Sequence, residues 1–216
     1  MKQYFFQCIA LLWLVLASTT HSLAEGPARP EPETMQRLLA GEVVLLDASS
    51  AESGGAGRAQ ALTFGSAKAY WDVIVSCELA FVFVDGLLEC EVLEDSGDHA
   101  LVRQVVKKHW LVPKQEFVFE SKRLAYRQIT FMLVEGDLDV LEGGWSFTPL
   151  PEGMLVDYSA HIKPRMPVPR FLVSRTIRKD TPDLMACIRG LATGSGSEKA
   201  NEDDLARCPG KLSIDQ

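Results

Sequence analysis

The sequence has little of what nucleic-acid binding, metal coordination or nucleophilic catalysis requires. Its 22 basic side chains are outnumbered by 29 acidic ones, a formal charge of −7. That sign repels phosphate backbones at long range, so no nucleic acid is expected as a partner. Its five cysteines show no C-x-x-C spacing, which disfavours a zinc ribbon or a thioredoxin-like site. The histidines, His21, His99, His109 and His161, stand too far apart to form an H-x-x-x-H pair, and no Ser or Cys sits in a nucleophile-elbow context. No metal, no cofactor and no catalytic residue are assigned. An apolar run of the roughly 20 residues needed to cross a membrane is also lacking.

What the chain has at its start is a shorter run. Residues 1–3 carry one positive charge, Lys2; residues 4–17 are nearly all apolar; residues 18–24 are small and polar, with Ser22 and Ala24 suited to a signal peptidase. That order predicts a secretory signal peptide cleaved after Ala24, and with it a periplasmic protein. Loss of Lys2 takes the charge to −8. No cysteine follows the small-residue site, so lipid attachment is not expected, and Cys8 lies in the discarded segment. Cys77, Cys90, Cys187 and Cys208 remain, which in an oxidising compartment permits two disulfides among three connectivities. The sequence-local choice pairs Cys77 with Cys90 and Cys187 with Cys208; the alternative leaves Cys77 and Cys187 as buried, reduced core residues.

The mature chain of about 190 residues suits one substantial core. Residues 26–33, G-P-A-R-P-E-P-E, read as a proline-stiffened linker, followed by a short helix over 33–40 closed by Gly41. Residues 42–48 and 58–64 read as two strands of a hairpin, with the small, polar stretch 49–57 as a loop between them. Ser66 can cap a short amphipathic helix over 66–75, and a second small helix is expected over 77–83. Strands then follow over 87–94, 99–108, 115–121, 124–133, 138–147 and 154–162, separated by D-S-G-D, Pro113, Lys122-Arg123, E-G-D and P-L-P-E-G turns. The half-buried face of such a meander needs a cover. The cover is a last helix introduced by Pro167 and Pro169, with Thr181-Pro182 expected to kink it or restart it. The small and charged residues beyond 191 should be mobile up to Cys208.

The segments A-K-A-Y-W-D-V-I (67–74), with Trp71 in the first helix, V-E-G-D-L (134–138) and E-G-G-W-S-F-T-P-L (142–150) resemble the START-like superfamily of polyketide cyclases and lipid-transport proteins, and within it the coenzyme Q-binding branch. The likeness runs from Arg58 to Leu191. It implies an α+β helix-grip fold: about seven curved antiparallel strands around a long C-terminal helix, with two short helices after the first strand. Between sheet and helix it implies a cavity for a lipid, an isoprenoid quinone or a polyketide-like molecule. The domain plan becomes a signal peptide (1–24), a linker and short helix (25–41), the START-like domain (42–191) and a flexible tail (192–216).

A hydrophobic pocket needs apolar walls and a few polar groups that orient its ligand. Ile129, Phe131, Trp145, Phe147, Val156, Tyr158, Phe171 and Ile177 are the candidate walls, and Arg103 the candidate charge for a headgroup, although an inward guanidinium must be paired. The expected role is non-catalytic binding of a hydrophobic small molecule by a monomer. The rival is a cyclase-type enzyme in which Tyr158, His161 or Arg103 polarises a carbonyl, and a third reading is an interaction module with a filled core. Lys163, Arg165, Arg170, Arg175, Arg178 and Lys179 cluster around the last helix and suit transient contact with an anionic membrane surface. The leader reading is checked by the intact mass of the exported protein: a chain beginning at Glu25 is expected, and a mature species retaining residues 1–24 would refute cleavage.

Overall fold

The computed structural model describes residues 29–51, 54–194 and 198–210, so the expected leader and its cleavage site lie outside the described residues. Pro32 opens α1 (Pro32–Leu39), where its missing N–H is no loss and its fixed φ is already helical. Leu38 of α1 packs with Val44, Leu62 and Leu155 on the sheet face away from the long helix. β1 (Val44–Ala51) and β2 (Gly54–Thr63) then form a hairpin. Ser66 caps α2 (Ala67–Ile74) by accepting from the Ala69 N–H at 3.1 Å, and Ser76 caps α3 (Cys77–Phe83) by accepting from Leu79 at 3.2 Å. These two caps turn the chain twice within a dozen residues and bury Tyr70, Val73, Ala80 and Phe83 toward the sheet.

Six further strands complete the meander: β3 (Leu87–Asp95), β4 (His99–Val106), β5 (Gln115–Leu124), β6 (Gln128–Gly136), β7 (Leu138–Leu150) and β8 (Gly153–Pro164). The sheet has eight strands, the number of extended segments read from the residues where the resemblance implied about seven, in the order β1-β2-β8-β7-β6-β5-β4-β3, and all its pairings are antiparallel. The expected loop over 49–57 is instead mostly strand, with β1 reaching Ala51 and β2 starting at Gly54. The reason is packing. A Cβ on Gly55 would stand 2.1 Å from Ile177 Cδ1, and one on Gly57 2.9 Å from Ile177 Cγ2. These glycines mark a close approach of the helix, and small residues within a strand serve that purpose as well as they serve a turn.

The covering helix runs through α4 (Arg170–Arg175), a π-helical turn (Thr176–Asp180) and α5 (Thr181–Thr193). The expected restart at Thr181 does not occur: its backbone is helical (φ −65°, ψ −49°) and its N–H bonds to Thr176 O, five residues back. Pro182 has no N–H for an α-helical bond and its ring would press on the carbonyl four residues before it. The wider π turn immediately upstream accommodates that defect without breaking the rod.

The expected flexible tail is corrected for residues 198–210. α6 (Glu198–Leu205) packs on α5 with Leu205 against Gly190. Arg189 grips Asp204 through two bonds of 2.6 and 2.8 Å and also donates to Gly41 O at 3.0 Å, with both side chains nearly buried. Cys187 is bonded to Cys208, and Gly210 N–H donates to Val82 O. A bidentate buried pair and a covalent link order a segment whose small, charged composition reads as disorder. The second disulfide, Cys77–Cys90, joins α3 to β3. Gly55→Val should lower stability by about 1–3 kcal/mol through overpacking against Ile177 and Ser49 O. Chemical denaturation checks this, and an unchanged midpoint would show that the helix does not rest on β2.

Candidate ligand cavity

Strand alternation decides which side chains face the long helix. Across the sheet, register aligns Arg123, Ile129, Trp145, Tyr158 and Ala59 in one lateral row on that face. The row on one side of it, Phe147, Val156 and Ala61, is filled solid by Tyr70, Met185, Cys187 and Ile188. On the other side the helix touches β2 at Gly55 and Gly57 but stands away from the middle strands. A cavity of about 1170 Å³ opens there, floored by Phe117, Phe119, Ser121, Phe131, Leu141 and Ala160 and roofed by Val173, Ile177, Thr181 and Leu184. Such a volume exceeds the roughly 300–1,000 Å³ typical of small-molecule pockets.

Aromatic rings form a continuous chain along the floor. Phe117, Phe119, Phe131 and Tyr158 stand 6.3–6.5 Å apart in sequence of contact, and Tyr158 lies over Trp145 with ring centroids 4.2 Å apart. Phe171, 63% exposed, lies at the mouth, where the 107–114 loop faces α4. Lys108 of that loop reaches Asp180 at 2.7 Å and so bridges the two lips. The Cys77–Cys90 disulfide and Cys208 belong to the wall. Burial alone pushes the Tyr158 phenol above the usual tyrosine range, and burial is the main cause of the same shift at Tyr70.

Of the side chains predicted to form the walls, Ile129, Phe131, Trp145, Tyr158, Phe171 and Ile177 do so. Phe147 and Val156 do not: they face the same way, but α2 and α5 pack directly on them, with Phe147 against the Tyr70 ring at 6.3 Å. Arg103 is also corrected. It sits between inward-facing Val102 and Gln104, so it points to the opposite face, where it pairs with Glu116 at 2.7 Å and Glu89 at 2.8 Å. Among the rival catalytic candidates His161 is exposed on that outer face, 3.0 Å from Glu142. Among the described residues no group of three or more His, Cys, Asp or Glu could hold a metal ion, and no helix is long and apolar enough to cross a membrane.

Sequence reasoning missed the contribution of β5. Gln115, Phe117, Phe119, Ser121 and Arg123 all line the cavity, and their strict alternation was visible. Lys122 and Arg123 read as a polar break, which cut the strand two residues short of its most unusual side chain.

Fold and cavity together define a helix-grip domain with an internal hydrophobic pocket. The chain belongs to the polyketide cyclase / dehydrase and lipid transport family, whose model matches residues 66–189. It is therefore a member of the START-like superfamily. A STAR-related lipid transfer protein from Xanthomonas axonopodis superposes with a TM-score of 0.57 at 13% identity, over 70% of this chain and 99% of that one. A protein from Thermus thermophilus gives 0.56 at 20% identity, over 66% and 99%. Human STARD10 gives 0.54 at 11%, over 79% and 82%. At these identities the likeness is one of fold. No curated protein sequence matches the chain.

Because Tyr158 and Tyr70 hold their protons more tightly in the native state than in the unfolded chain, the stability they contribute is complete below about pH 10 and falls as pH rises beyond it. Tyr158→Phe should make the alkaline loss of stability shallower when unfolding is followed against pH. Equal slopes in the two proteins would show that Tyr158 ionises freely in the folded state.

Proposed function

We propose that the protein is a periplasmic, non-catalytic carrier or sensor that holds a lipid, isoprenoid quinone or polyketide-like molecule between its sheet and its long helix. The observation that carries this reading is the cavity itself: about 1170 Å³ walled chiefly by aromatic and aliphatic side chains. Burial of apolar ligand surface there contributes about 0.8 kcal/mol per methylene, so a chain of ten such groups gains about 8 kcal/mol before the costs of association. Family membership agrees with a hydrophobic ligand. The signal-peptide pattern and two disulfides support export to an oxidising compartment. A cyclase-type reaction would need a polarising group beside the ligand, and two of the three candidates, Arg103 and His161, lie on the outer face. That favours carriage over turnover. Exposed Phe171 and the basic Arg175 and Lys179 at the mouth suit a transient approach to an anionic membrane during loading.

Native mass spectrometry of protein recovered from the periplasm should show a retained hydrophobic mass that is lost on organic extraction. Ala160→Trp, which places an indole in the cavity floor, should abolish that mass while leaving the circular dichroism spectrum and the monomer intact. Ligand-free wild-type protein that also takes up no added lipid would sink the proposal.

A further inference from the structure

The two disulfides differ in what surrounds their sulfurs. Cys187 is completely buried in the filled half of the core, and Val82 O, a carbonyl, stands 4.0 Å from its sulfur. Cys77 and Cys90 are each only half-buried, and both border the cavity. Gln104 Nε2, an N–H donor on the same wall, approaches Cys90 Sγ at 3.8 Å.

These surroundings decide which bond a thiol can open. A thiolate attacks one sulfur of a disulfide and expels the other as a thiolate, so the leaving sulfur has to carry negative charge. Cys208 is the accessible sulfur of its pair, and attack on it would expel a Cys187 thiolate into an apolar core facing a carbonyl oxygen. Burial opposes that charge. Attack on Cys77 expels Cys90, which is partly exposed and meets the Gln104 N–H. A donor at that point favours the thiolate.

The same bond holds a wall of the cavity. Cys77 begins α3, whose Ala80 and Phe83 line the hollow, and Cys90 lies on β3, the last strand at that side of the sheet. Cys77–Cys90 is the covalent tie between this wall element and the sheet edge.

We propose that Cys77–Cys90 is a site of thiol–disulfide exchange, opened by a dithiol, and that opening it loosens the cavity's grip on its guest. One thiolate of the reagent bonds to Cys77 Sγ as the Cys77–Cys90 bond breaks, and Cys90 Sγ leaves with the electron pair. The second thiol of the reagent then closes a ring disulfide and frees Cys77. Two protons pass from the dithiol to the two cysteines, which gain the two electrons the reagent loses. The effect on the guest rests on the carrier reading, whereas the exchange site does not.

The test applies dithiothreitol, a dithiol, to the folded full chain near neutral pH, alkylates free cysteines with iodoacetamide and locates them by peptide mass. Cys77 and Cys90 should be alkylated at least about tenfold faster than Cys187 and Cys208. Gln104→Leu should slow their opening. In protein reduced at this bond alone, the neutral dye Nile red should dissociate at least about tenfold faster, with the circular dichroism spectrum unchanged. Bound Nile red should in turn shield the two sulfurs and slow their reduction. The double variant Cys77→Ser, Cys90→Ser should release the dye at the fast rate with or without dithiothreitol, and the reduced wild type serves if that variant does not fold. Equal opening of the two disulfides, or faster opening of Cys187–Cys208, would overturn the exchange site. Unchanged dye release, or loss of the circular dichroism signal on reduction, would overturn the loosened grip and leave the carrier reading standing. Failure of Nile red to bind in either state would overturn the carrier reading together with the loosened grip, while alkylation still decides the exchange site.

Discussion

The separation between the long helix and the sheet is set where Ile177 meets the bare backbone of Gly55 and Gly57. A side chain at either position would hold the helix off. Seated there, over the β1–β2 edge, the helix leaves the middle strands without direct cover. The hollow above β4 to β7 is thus a consequence of where one isoleucine rests.

At its other end the same helix behaves as an ordinary core element. Met185, Cys187 and Ile188 meet Tyr70, Val73 and Phe147, and the gap is closed. The contrast between a filled half and an open half within one sheet–helix layer separates structure from binding. Residues in the filled half hold the fold, and residues one strand row away line the cavity. Cys77–Cys90 and Cys187–Cys208 flank this boundary, each tying a short surface element to the main layer. The cavity therefore does not depend on hydrophobic contact alone to keep its shape.

Much of this architecture was legible in the residues. Ser66 stands where a cap is needed, Trp145 and Tyr158 both line the cavity as their reading as wall residues requires, and the local pairing of the cysteines is the one the structure has. What was not legible depended on long-range packing. Gly54 to Gly57 look like a loop until a helix far along the chain is laid on them. Phe147 and Val156 have the parity of wall residues, and the positions of α2 and α5 decide that they are core. Arg103 and Arg123 are both strand arginines. Parity within the strand separates them, and a strand end misplaced by two residues hid the one that faces inward.

The π-helical turn sits where Thr176, Ile177, Lys179 and Asp180 border the cavity. Helices kink preferentially at such turns. Bending is expected to concentrate there, so α4 could swing outward to admit a guest while α5 stays anchored by Cys187 and Arg189 and every strand keeps its partners. One proline placed two residues beyond the turn would thus give a rigid container its hinge.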